Sequence, residues 1–272
     1  MAGDYIFHED TEAVSPRRMD KLLKLFIAAA FLVLLGALIW LIGIAPFMPF
    51  SQIEITGYSG LAQEEIFAAA GITTSSSYIS TNVKSVERAL MSIPAVQSAR
   101  VFRQFPGKLL IVLTGRRPVG FTLASLNGRS IPVFFDSQGV VFRIGADRNA
   151  EPLPPAVPAV SGLVIEDLFL GMRLPAVFLS LFRQLEQIAA SAPELLGAVS
   201  EVRINQKPFD GFDLIVFPAH GKIKVRLNEL NEDALRYTLL IVDVLASEDP
   251  GIEMLDFRSS IASYIPKEAS SE

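Results

Sequence analysis

Leu25–Ala45 (LFIAAAFLVLLGALIWLIGIA) is an unbroken run of 21 residues without a charge. As a helix it is about 31 Å long, close to the thickness of a bilayer's hydrocarbon layer. A helix apolar on every face has no side to turn to water, so the run is expected to cross a membrane. No second run of this kind follows. Phe169–Ile188 comes nearest and is interrupted by Arg173, Arg183 and Glu186. Gly43-Ile44-Ala45 resembles a signal-peptide cleavage motif. A signal's apolar core is shorter, however, about 7–15 residues, and Pro46 would follow the cut. An uncleaved anchor is the better reading, and it absorbs the excess behind the mean hydropathy of +0.40.

The flanks set an orientation. Arg17, Arg18, Lys21 and Lys24 precede the run, and the first basic residue after it is Lys84. The positive-inside asymmetry places residues 1–24 in the cytoplasm as a mobile tail and residues 25–45 in the membrane. Everything after Pro46 then lies outside. Trp40 suits an interface. Ala28–Ala30, Gly36 and Ala37 allow close helix packing but do not separate a recognition helix from a plain tether.

The outer part alternates between strand and helix signals. Ser51–Gly57 reads as a strand, with Ile53 and Ile55 on one face. Leu61–Ala70 reads as a helix with Ser59 as a candidate cap and Gly71 as its stop. Asn82 introduces a second helix carrying Val83, Val86 and Leu90 on one face, closed by Pro94. Val96–Arg103 and Leu109–Arg116 are strands around the turn Phe105-Pro106-Gly107-Lys108. Short strands follow at Gly120–Ser125, Pro132–Phe135 and Val140–Ile144, the last two joined by Asp136-Ser137-Gln138-Gly139. Pro152, Pro154, Pro155 and Pro158 mark an extended connector. A helix carries Phe178, Leu181, Phe182, Leu185 and Ile188 on one stripe. Three strands follow, Val199–Asn205, Phe212–Phe217 and Lys222–Leu227. A helix over Glu232–Ala246 and strands at Ile252–Phe257 and Ile261–Ile265 complete the pattern.

Half of the residues are apolar (50%) and 19% are charged, which excludes wholesale disorder. Lys and Arg number 24 against 29 Asp and Glu, so the basic surface that nucleic acid requires is not expected. Cysteine is absent, which removes disulfides, thiol nucleophiles, zinc–thiolate sites and iron–sulfur clusters. The histidines are His8, across the membrane from the outer part, and His220, in a turn. Ser75–Ser77 is a candidate nucleophile by composition only, and serine runs are more often loops. Glu248, Asp249, Glu253 and Asp256 lack calcium-loop spacing, and no Walker or G-x-G-x-x-G pattern occurs. Glu64-Glu65 and Arg116-Arg117 read as solvated pairs. The expectation is no catalytic, cofactor or metal site. The chain reads as a tethered scaffold whose work is binding other proteins.

The strand-helix-helix-strand-strand unit after the anchor resembles a POTRA domain, and its motifs resemble the FtsQ/DivIB family of bacterial cell-division proteins. The matches are Ile53-Glu54-Ile55-Thr56-Gly57, Ile93-Pro94-Ala95-Val96, Ala99-Arg100-Val101 and Phe105-Pro106-Gly107-Lys108-Leu109. Arg116, Pro118 and Val119-Gly120 resemble the E-R-x-P-V-A segment, with Gly115 where the family usually has Glu. Asp136–Phe142 is similar to the D-x-x-G-x-V-F hairpin. Leu153-Pro154 with Val160-Ser161-Gly162 resembles the L-P…G connector, and Asp256-Phe257-Arg258 the D-L-R strand. Asn228 and Ser259-Ser260 depart from the family pattern.

The resemblance implies an α+β protein. A single transmembrane helix precedes a POTRA domain (50–119, β-α-α-β-β) and a mixed α/β domain (120–265) with an antiparallel-rich sheet and an exposed C-terminal edge strand. Residues 266–272 are then a disordered tail. It further implies a non-enzymatic divisome scaffold in the inner membrane at the septum, without cofactor, metal, nucleic acid or small-molecule substrate. Its partners would be small bitopic proteins of the FtsB/DivIC and FtsL types, one adding a strand beside Ile252–Phe257 and Ile261–Ile265. The candidate contact residues are Ile252, Met254, Asp256, Arg258, Ser259, Ile261 and Tyr264. For inward-facing members of these strands, plain core packing is the stronger expectation. The POTRA strand Ser51–Gly57 is a second candidate surface. One rival is a POTRA-bearing part of a secretion or outer-membrane assembly machine, although the stretch after Gly120 is short for a barrel. The other is an envelope enzyme.

Overall fold

A computed structural model describes residues 16–57, 60–126, 128–145, 154, 156–165, 167–207, 211–248, 251–259 and 263–266. The chain divides into two compact units. The first holds Met1–Glu54, Thr73–Asn82 and Phe102–Leu110; the second holds Ile55–Ile72, Val83–Val101 and Ile111–Glu272.

In the first unit, α1 (Pro16–Ile39) continues through a π turn at Trp40–Ile44 and a 3-10 turn at Ala45–Phe47. The helix therefore begins well before Leu25, and the expected tail is helical from Pro16. Proline is favoured at a helix start because its missing N–H has no partner there. Residues 1–15 lie outside the described part. Asp20–Phe47 is the one helix among the described residues long and apolar enough to cross a membrane, its most apolar 18 residues having a mean hydropathy of 2.9.

The expected order β1 (Gln52–Thr56), α2 (Gln63–Ala70), α3 (Val83–Met91), β2 (Val96–Gln104), β3 (Lys108–Gly115) is present, with sheet order β1-β3-β2. Ser59 lies outside the described residues, and the capping position of α2 is Ala62, which has no capping side chain. Gly71 ends α2 in the left-handed conformation, as read from the sequence. Val86 and Leu90 are buried on α3, and Val83 is half-buried.

The larger sheet has nine strands. They are β4 (Gly120–Leu126), β5 (Arg129–Phe135), β6 (Val141–Ile144), β7 (Ala159–Ser161), β8 (Val199–Gln206), β9 (Phe212–Pro218), β10 (Lys224–Leu227), β11 (Ile252–Asp256) and β12 (Ser263–Pro266). Their order is β12-β11-β10-β9-β8-β7-β4-β5-β6. Three helices accompany them: α4 (Leu179–Ser191), α5 (Pro193–Gly197) and α6 (Glu232–Glu248). The buried stripe of α4, Leu181, Phe182, Leu185 and Ile188, packs with Val133, Phe135, Val202, Leu214 and Val225 in one core. The Phe135 and Phe182 rings lie 4.6 Å apart between centroids.

Three features differ from the sequence expectation. The proline connector leads into β7, which joins β4 to β8 and pairs parallel with both. Strand β11 pairs parallel with β10 on one side and antiparallel with β12 on the other. Parallel neighbours need a crossover, which α4–α5 and α6 provide. Pro266, assigned to the tail, is the last residue of β12; residues 267–272 lie outside the described part.

Gly162 ends β7 with φ +83°, and a Cβ there would stand 2.2 Å from the Ile204 carbonyl oxygen. Only glycine lets β7 approach β8 this closely. Gly162→Ala is expected to cost at least about 1–3 kcal/mol through backbone strain alone. The melting temperature of the detergent-solubilised full chain should fall by roughly 5 °C or more. Gly128→Ala, which meets open space, should cost less.

Candidate functional site

Arg116 follows β3, and its backbone N–H donates to the Ala95 carbonyl (2.9 Å). Its Nε donates to the Pro94 carbonyl (3.0 Å), Nη1 donates to Gln138 Oε1 (3.3 Å), and Nη1 forms an ion pair with Asp136. The side chains are 12% and 4% exposed. Asp136 Oδ1 also accepts the backbone N–H groups of Gln138 (3.0 Å) and Val140 (2.8 Å), which builds the β5–β6 hairpin turn. Beside it, the Ser137 hydroxyl donates to Glu186 Oε1 of α4 (2.7 Å). Arg116 is thus not the solvated side chain expected of an Arg-Arg pair; Arg117 is. Arg116→Ala would strand a buried carboxylate, at a cost of about 3–5 kcal/mol in denaturant unfolding. Arg117→Ala should change stability by less than about 0.5 kcal/mol.

A second polar array crosses four strands of the large sheet. Asp213 on β9 is fully buried. Its Oδ1 accepts from Asn205 Nδ2 on β8 (2.7 Å), and its Oδ2 accepts from Arg226 Nε on β10 (3.1 Å) and Arg258 Nη1 (3.1 Å). Arg258 also donates from Nε and Nη2 to Asp256 on β11 (3.0 and 2.7 Å). Two carboxylates and two guanidiniums balance. Asn228 Nδ2 donates to the Arg258 carbonyl (2.9 Å) and the Phe257 N–H donates to the Arg226 carbonyl (2.9 Å). The chain leaving β11 is therefore fixed before it turns into β12, and Asn228, a departure from the family pattern, takes part in fixing it.

Burial pushes the Asp213 carboxyl up, but the Asn205 and Arg226 hydrogen bonds and the two guanidinium charges outweigh it, leaving its pKa below the usual 3.8. The Arg258 hydrogen bond holds Asp256 below 3.8 against the opposing effect of burial. Both folded values are depressed, so the stability they contribute is complete above 3.8 and is lost as pH falls through the depressed values. Amide protection in β12, corrected for intrinsic exchange rates, is expected to hold across neutral and mildly acidic pH. It should weaken only below about pH 3.8.

The candidate contact residues separate in this geometry. Ile252, Met254 and Asp256 lie on β11, which is paired on both sides, so they are not part of the sheet's edge. Among the described residues the terminal strand at this end of the sheet is β12. Ile252 and Phe257 pack against the core and Leu255 is buried in it, in line with the core reading. Tyr264 is 66% exposed and Ile265 46%. Arg258 and Ser259 are exposed beside the edge, and Ile261 lies outside the described residues. The opposite end of the sheet is covered: Val141 on β6 donates its N–H to Met172 and accepts from Gly171 through its carbonyl (2.9 and 2.7 Å). Sequence reasoning missed Asp213, Asn205 and Arg226. The available signal was a carboxylate inside the apolar strand FDLIVF, because buried Asp is rare unless paired.

Among the described residues, the candidate catalytic groups do not converge. Ser75 and Ser76 bond to Thr73, and Ser77 to Ser80, within their own loop. His220 is exposed. Glu253 pairs with Lys224, and Asp249 lies outside the described residues. Among the described residues no three His, Asp or Glu side chains cluster to hold a metal.

Residues 48–116 match the family model described as POTRA domain, FtsQ-type. The chain is similar, over this domain and the stretch around it, to FtsQ cell division proteins. It is 31% identical over 144 residues to the cell division protein FtsQ of Mycolicibacterium smegmatis, covering 53% of this chain and 40% of that protein. It is 27% identical over 157 residues to FtsQ of Mycobacterium tuberculosis, covering 57% and 47%. For FtsQ of Corynebacterium glutamicum the identity is 22% over 149 residues, covering 52% and 66%. The matched stretch spans about half the length of the first two relatives. The FtsQ-type POTRA domain begins within a few residues of the end of the apolar helix, the arrangement the sequence motifs led one to expect.

Proposed function

We propose that the chain is a non-enzymatic scaffold of the bacterial division machinery, anchored by α1 and held at the septum by protein contacts. Its relatives are cell division proteins, which supports this class over a secretion or outer-membrane assembly role. The N-terminus faces the cytoplasm in this reading, on the strength of Arg17, Arg18, Lys21 and Lys24. The POTRA domain (50–119) and the β domain (120–265) lie outside.

The observation that carries the partner reading is the open edge of β12. Ser263–Pro266 are all exposed, and among the described residues β12 is the last strand at its end of the nine-stranded sheet. Their outward N–H and C=O groups are the kind an incoming strand satisfies. Pro266 has no N–H, so the donors of this edge end at Ile265. The partner is a small bitopic protein of the FtsB/DivIC type, with an FtsL-type protein in the same assembly. Tyr264 supplies an aromatic anchor, and Arg258 keeps the neighbouring turn in place.

Tyr264→Ala is expected to weaken binding of an FtsB-type partner by about tenfold or more, with an unchanged melting temperature. Binding of the full chain to the partner's extracytoplasmic segment measures this. A fluorescent fusion of the wild type should form a band at midcell, and an even membrane signal through division would overturn the scaffold reading.

A further inference from the structure

We infer that the first unit rests on the lipid headgroup layer, with Phe47, Met48, Ile79 and Phe105 seated at the interface around the exit of the anchor. The inference rests on reading α1 as membrane-spanning. It begins with the chain just after the helix, which does not swing free. Pro49 forms a bridge with Ser77. The Phe50 N–H donates to the Ser76 carbonyl (3.0 Å), and the Ser51 N–H and Oγ donate to the Gly107 carbonyl (2.8 and 3.1 Å). Ser51 follows Phe47 by four residues, a reach of at most about 14 Å. The Thr73–Asn82 loop and the β2–β3 turn are therefore tethered close to the point where the helix leaves the hydrocarbon.

Both tips present large apolar side chains. Ile79 is 54% exposed and Phe105 47%, and the helix end adds Phe47 at 66% and Met48 at 50%. Ala45, by contrast, is 3% exposed, so folded chain closes over the last turn of the anchor. The two tips are locked together. Tyr78 meets Phe105 edge-on with centroids 5.9 Å apart. Arg103 lies over the Tyr78 ring at 4.8 Å and donates to the Tyr78 carbonyl (2.7 Å). Lys108 is paired with Glu54 (2.7 Å).

Aromatic and aliphatic side chains with a cation among them are the composition that favours a headgroup interface. Lipid is the occupant because both tips are tied to the chain within four residues of the end of the apolar helix. Ile42 and Ile44 are exposed on the helix, and the same character runs through Phe47 and Met48 into the tips. In water such a patch would be a liability; beside a bilayer it is half immersed.

The chain has no cysteine, so a single introduced thiol is a unique labelling site. Leu34→Cys, Phe47→Cys, Ile79→Cys and Phe105→Cys would each carry an environment-sensitive fluorophore. The full chain goes into phosphatidylcholine vesicles with quenchers at the headgroup or mid-acyl level. The Leu34 label should be quenched by mid-acyl lipids, which establishes the span. The Ile79 and Phe105 labels should lose emission to headgroup-level quenchers as strongly as the Phe47 label. A quenched Leu34 label with unquenched, water-exposed labels at Ile79 and Phe105 overturns the inference and leaves the span intact. Blue-shifted but unquenched labels mean that protein covers the patch, which also overturns it. An unquenched Leu34 label overturns both.

Discussion

Asp136 sits almost out of water, and its carboxylate is shared among Arg116 and the N–H groups of Gln138 and Val140. A carboxylate so placed is tolerable only while every one of those partners stays. That requirement fixes three things at once. It shapes the β5–β6 turn, it holds the end of β3, and through Arg116 Nε it pins the Pro94 carbonyl between α3 and β2. Ser137, next in the turn, fastens the same hairpin to α4 through Glu186. The core stripe of α4 then has a defined sheet face to bury against.

The Asp213 array does the same at the other end of the sheet. Asn205, Asp213, Arg226 and Asp256 stand on successive strands, and Arg258 closes the row. Side-chain alternation means that a one-residue slip would send a buried charge to the wrong face. The array therefore sets the register from β8 to β11 more firmly than apolar contacts would, since apolar side chains tolerate substitution for one another. Strand β12 inherits its position from that register.

Much of this was legible in the sequence because its cause is local. The anchor follows from a charge-free run, the β-α-α-β-β order from periodicity and its stops, and the Asp136–Gly139 turn from its own residues. What stayed hidden depends on pairing over distance. Strand β7 has three residues and follows a proline-rich stretch, so only the neighbours β4 and β8 make it a strand. Strand β11 was counted with the edge on the family resemblance; its parallel pairing with β10 runs through α6 and leaves no local trace. Arg116 looked solvated because its partner lies twenty residues on. In the candidate site, Tyr264 was named as an aromatic contact at the edge, with core packing as the rival reading, and it is exposed. Asp256 and Arg258 were named too, but as contacts rather than as members of the array around buried Asp213.

The route β10-α6-β11 has a temporal consequence. A parallel neighbour cannot form until its crossover has been made and folded, and long-range pairings of this kind are slow. Strand β12 pairs with β11 and not with β10, so its place in the large sheet waits on the docking of β11 against β10. The open edge therefore does not exist in a half-finished molecule. It becomes available only after the preceding sheet is complete, so the edge doubles as a certificate of maturity, and a partner that reads backbone there is shielded from chains still in the course of folding.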